Sequence, residues 1–156
     1  MQEQKGLMRQ ALIVAIFAVL VLGGGLIVGF AARPDARYAA LSKPPFNPPN
    51  WIFAPVWSLL YILIAIAGVR TYERGLSGGF GLWVAQLVLN FCWGPVFFGL
   101  HRPAFALAIV TALLICNVTF IVARWNVDRA SALLFLPYAA WVAFAALLNA
   151  SIVMLN

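Results

Sequence analysis

Five charge-free apolar runs, at residues 11–32, 51–69, 80–100, 103–123 and 130–155, set the pattern of this chain. Each reaches about 19 residues or more, enough to cross a hydrocarbon core of about 30 Å at about 1.5 Å per residue. The alternating segments of about 10 residues that a membrane barrel requires are absent from the pattern. The expectation is an all-α integral membrane protein forming one domain over residues 1–156. Its five helices are placed near 8–32, 51–70, 80–100, 103–124 and 130–155, with a loop over 33–50. The first run follows Lys5 and Arg9 and could be a signal peptide, with 29–31 as a cleavage-like stretch. Signal h-regions are only about 7–15 residues long, so a retained spanning helix is the better reading.

Connections at residues 70–79, 101–102 and 124–129 are short, so successive helices run antiparallel. Only the loop at 33–50 is long, and it leads into KPPFNPPNWIFAPVW at residues 43–57. Proline fixes its own φ, lacks a donor and extends the residue before it. Pro44, Pro45, Pro48 and Pro49, with Lys43, Asn47 and Trp51, therefore make a stiff, non-helical strap able to cap a space beneath it. Pro55, Pro95 and Pro137 fall inside spans, as ordinary kinks or as three kinks that open a shared space.

Composition agrees with a membrane location. The 156 residues are 65% hydrophobic and 9% charged, with a mean hydropathy of +0.99, against about 25% charged residues in soluble domains. The net charge of +6 comes from Lys and Arg scattered at the ends of apolar runs. It lacks the contiguous footprint of a nucleic-acid binder. Six basic residues (Lys5, Arg9, Arg70, Arg74, Arg124, Arg129) against four (Arg33, Arg37, Lys43, Arg102) favour an inside N-terminus. Cys92 and Cys116, both within apolar runs, read as buried free thiols.

Polar and aromatic positions inside the spans gather on the strap side. Gln86, Asn90, Trp93 and Phe97 share one stripe of the third helix, Trp57 and Tyr61 one face of the second, and Trp141, Ala145 and Asn149 one face of the fifth. Such side chains face a bundle interior, either as a pocket wall or as interhelical hydrogen-bonding glue. Trp57, Trp93 and Trp141 lie too deep for an interfacial belt and are pocket candidates. Trp51, Trp83 and Trp125 are read as belt anchors. Gly25 and Gly29 form a GxxxG that could bring helices close. His101 has no nucleophile beside it, Glu3, Asp35, Glu73 and Asp128 fall outside the runs, and no metal-ligand spacing exists. Neither an obligatory cofactor nor an acid–base mechanism is expected.

The chain resembles the TspO/MBR family of translocator proteins and tryptophan-rich sensory proteins. The resemblance rests on KPPFNPPNWIFAPVWSLLY at 43–61, QLVLNFCWGPVFFG at 86–99 and LPYAAWVAFAALLN at 136–149. It implies a five-helix bundle, commonly a homodimer in the lipid bilayer, with a pocket closed by the first long loop. By that resemblance the ligand-binding residues are Tyr38, Trp57, Tyr61, Asn90, Trp93, Trp141, Ala145 and Asn149.

The implied ligands are porphyrins such as protoporphyrin IX and other hydrophobic aromatic molecules, in sensing, transport or scavenging. Their carboxylates would suit Arg37, Lys43, His101 or Arg102 at the mouth. An alternative is light-dependent protoporphyrin degradation with Trp57 and Trp141 as candidate catalytic groups; another is a small hydrophobic-compound exporter. The animal sterol motif is missing, since the end reads LLNASIVMLN with Ala150 in the Tyr position. The short tail and compact loops resemble a bacterial member in a cell membrane.

Overall fold

The computed structural model describes residues 2–75 and 77–156, without the side chains of residues 2, 3 and 77. Among the described residues five helices are long and apolar enough to span a membrane: α1 (Gln4–Ala31), α2 (Asn50–Glu73), α3 (Gly78–Gly99), α4 (Pro103–Arg124) and α5 (Arg129–Leu155). The chain is therefore an integral, multi-pass, all-α membrane protein. Around the bundle the order is α1, α2, α5, α4, α3, with α3 closing on α1. The turn expected over 70–79 is shorter than foreseen because α2 runs on to Glu73; Leu76 within it lies outside the described residues.

The core is built where the apolar faces meet. Val21, Ile64, Phe120, Phe135 and Tyr138 are fully buried, and Phe120 of α4 stacks on Phe135 of α5 at 4.1 Å between ring centroids. Of the two glycines in the GxxxG, only Gly25 is a contact point. A Cβ there would strike the Tyr61 ring, whereas Gly29 faces open space.

The three prolines do not act alike. Pro95 removes a helical donor, and the backbone widens over Pro95–Gly99, where Leu100 N–H donates to the Pro95 carbonyl at 2.8 Å. Pro137 lies inside α5. Pro55 sits in the first turn after the tight turn Asn50–Ile52, where a missing N–H costs nothing. It is a helix-start proline, and the expected third kink is not formed.

The long loop is not wholly extended. Asp35 caps a short helix, Ala36–Ala40, accepting from Tyr38 N–H at 2.9 Å. The proline strap follows and ends where helix resumes at Asn50. Two tethers hold the loop down. His101 Nε2 meets Asp35 Oδ2 at 2.8 Å. The Asn156 side chain accepts from Ser42 N–H at 2.9 Å and donates to the Ser42 carbonyl at 3.1 Å.

Candidate ligand chamber beneath the strap

Helical spacing carries Trp57 and Tyr61 to one face of α2, where their rings lie 5.5 Å apart. Tyr61 O–H donates to Asn90 Oδ1 of α3 at 3.1 Å. Asn90 Nδ2 donates to the Tyr138 hydroxyl of α5 at 2.7 Å, and Tyr138 O–H donates back to Gln86 Oε1 at 2.9 Å. Trp57 packs edge-on to Tyr138 at 6.4 Å. One hydrogen-bonded chain thus crosses from α2 to α3 to α5 and returns to α3.

A second group forms nearer the loop. Trp93 Nε1 donates to Asn149 Oδ1 at 3.2 Å, and Asn149 Nδ2 donates to the Pro103 carbonyl at 2.8 Å. Tyr38 is buried edge-on against Phe97 and Phe98 at 6.0 and 5.1 Å. Its hydroxyl donates to Asn47 Oδ1 of the strap at 3.4 Å. Trp93 packs against both groups and joins them.

Trp141 belongs to the first group, with Phe53 at 5.8 Å and Phe144 at 5.5 Å. Phe46 of the strap meets Phe144 at 6.4 Å, so an aromatic file leads from the strap to Trp141. Ala145 is buried between Trp141 and Asn149 on their shared face. The Trp141 indole N–H is buried with no acceptor among the described residues.

The TspO/MBR family model matches residues 15–155. This chain belongs to the TspO/MBR family. It is 40% identical over 148 residues to tryptophan-rich protein TspO of Archaeoglobus fulgidus, covering 93% of this chain and 96% of that one. It is 38% identical over 133 residues to protein CrtK of Rhodobacter capsulatus, covering 82% and 83%. To the translocator protein of Bos taurus it is 39% identical over 139 residues, covering 82% and 80%.

Within this TspO/MBR chain several sequence expectations change. Trp83 is a core residue, not a belt anchor: it is 2% exposed and donates to the Ile64 carbonyl at 2.9 Å. Gly68 makes room for it, since a Cβ there would lie 2.5 Å from the indole. Trp51 is 73% exposed, and Trp125 carries the Arg129 guanidinium 4.9 Å above its ring, as interfacial residues would. Both cysteines are free, but Cys92 is exposed, and Cys116 is half-buried with its Sγ donating to the Leu82 carbonyl of α3 at 3.4 Å.

At the mouth, Lys43 is already engaged. Its Nζ donates to the Ala39 and Leu41 carbonyls and lies 4.7 Å above the Tyr38 ring. His101 is held by Asp35. Arg37 and Arg102 remain exposed. Two surface cavities are present among the described residues, neither lined by Trp57, Trp93 or Trp141: about 520 Å³ between α1 and α3, walled by Phe17, Trp83 and Phe91, and about 580 Å³ beside Arg102 and Phe105.

Tyr138 is the functional-looking residue that the sequence pattern missed. It sits one turn before Trp141, and a hydroxyl fully buried at mid-span was the available signal. Among the described residues no cluster of three metal-binding side chains exists.

Proposed function

We propose that this protein binds flat, hydrophobic tetrapyrroles, protoporphyrin IX above all, in the chamber beneath the strap, as a sensor or translocator in a bacterial cell membrane. The observation that carries this reading is the free indole N–H of Trp141 in an aromatic wall. Its neighbours Trp93, Asn90 and Asn149 all donate to protein partners, which leaves Trp141 to serve an acceptor on a ligand. Aromatic walls with few convergent polar groups suit a planar apolar ligand. Arg37 and Arg102 would meet its carboxylates. Entry requires the strap to lift Phe46 from Phe144 and the first turn of α2 to draw Phe53 away from Trp141. A second copy would pair on α3, whose Gly81, Ala85 and Cys92 are exposed along one flank; oxidative crosslinking through Cys92 tests that pairing.

The test is a protoporphyrin IX titration of the purified protein in the dark, following tryptophan fluorescence. Saturable quenching supports the reading, and its absence removes the porphyrin assignment. A second reading, light-dependent degradation, draws on the packing of Trp57 against both Tyr61 and Tyr138, which would offer an oxidisable chain. It requires a new absorbing species under illumination, lost in Trp57→Phe or Trp141→Phe.

A further inference from the structure

The end of the bundle opposite the strap gathers the last turns of α2 and α4 and the first turns of α3 and α5. Arg124, the final residue of α4, is 9% exposed. Its Nε and Nη1 are buried without an acceptor among the described residues. The guanidinium lies flat on the start of α3. A Cβ on Gly79 would stand 2.6 Å from Cζ, 2.7 Å from Nη1 and 2.9 Å from Nε, so a side chain there would have to displace the guanidinium.

That placement is electrostatically unfinished. The first turn of α3 presents N–H groups without intrahelical acceptors and the positive end of the helix dipole. A guanidinium set against it adds a full positive charge and further donors. The nearest carboxylate in sequence, Asp128, is committed elsewhere. It meets Arg70 Nη2 at 2.8 Å and Arg74 Nε at 3.7 Å, and accepts from the Ser131 hydroxyl.

We infer that this end of the bundle is an anion site for a phosphate group, held by the Arg124 guanidinium and the N-terminus of α3. A phosphate matches both partners, because its oxygens accept from helix N–H groups and from the guanidinium edge together. The phosphate can come from an acidic lipid headgroup or from free inorganic phosphate. The site is independent of the porphyrin reading, at the end of the bundle opposite the strap.

The experiment is thermal unfolding of delipidated protein in a neutral maltoside detergent. One arm adds inorganic phosphate against chloride at matched ionic strength; the other adds phosphatidylglycerol against diacylglycerol. A saturable rise in Tm with inorganic phosphate assigns the free anion, and a rise with phosphatidylglycerol alone assigns the headgroup. Arg124→Gln abolishes the rise, and Gly79→Ala, whose methyl group displaces the guanidinium, reduces or abolishes it. Native mass spectrometry of the wild-type chain supplies a readout that needs no variant: a retained phosphate or phosphatidylglycerol adduct. No saturable response and no adduct from either source overturns the site, as does a response unchanged in both variants.

Discussion

Trp93 and Asn149 are hydrogen-bonded to one another, indole N–H to amide oxygen at 3.2 Å, and Asn149 passes its own N–H to the Pro103 carbonyl at 2.8 Å. Three helices therefore meet at one amide. Asn149→Leu leaves both the Trp93 donor and the Pro103 acceptor without this partner. The expected cost is about 1–3 kcal/mol, read as a lowered unfolding midpoint in detergent. Trp93→Phe frees only the Asn149 oxygen and should cost less than Asn149→Leu.

Tyr138 forms a second polar link between helices. Its hydroxyl accepts from Asn90 and donates to Gln86, linking α3 to α5 at full burial. Tyr138→Phe keeps the ring packing on Phe135 and Trp57 but strands both amides, with an expected loss of about 1–3 kcal/mol. A variant as stable as the parent would show that the amides re-pair with each other.

Gly25 and Tyr61 form one close contact between α1 and α2. Gly25→Leu must push the Tyr61 ring aside and with it the hydrogen bond to Asn90. Gly29→Leu, with open space around it, should leave stability almost unchanged. The pair of unfolding midpoints separates a specific packing point from a general intolerance of bulk in α1.

The carboxylates at the two ends make the structure acid-sensitive. Asp35 is held below its ordinary value of 3.8 by the Tyr38 N–H, then by His101. Burial alone would raise Asp128, but the Ser131 hydroxyl and the Arg70 and Arg74 charges outweigh it and hold it below 3.8 as well. A depressed folded-state pKa adds stability that is present above the unfolded value and lost as pH falls through the folded one. Unfolding midpoints should therefore be flat near neutrality and fall below about pH 4. Asp128→Asn should lower stability at neutral pH and shallow that acid decline.

How far the sequence alone reached depended on which physical signal was involved. Hydropathy runs placed all five helices, because an apolar stretch of that length has few other stable settings in water or lipid. Helical spacing put Trp57 with Tyr61, and Trp141 with Ala145 and Asn149, on shared faces. It could not say that Trp93 and Asn149 would satisfy each other, since that depends on the axial offset of α3 and α5. Trp83 was misplaced for a related reason: its depth looks interfacial, but the space left by Gly68 draws it inward. Lys43 and His101 read as free charges in sequence and are occupied by the folded loop.

If Trp141 meets the ligand, three porphyrin titrations should tell it apart from a tryptophan that does not. Protoporphyrin IX is titrated in the dark into the wild-type protein, into Trp141→Phe and into Trp51→Phe, the last a control whose indole is 73% exposed outside the chamber. The dissociation constant should rise several-fold in Trp141→Phe, about tenfold if the lost hydrogen bond is worth about 1.4 kcal/mol, and stay unchanged in Trp51→Phe. Equal affinity in all three proteins would contradict it.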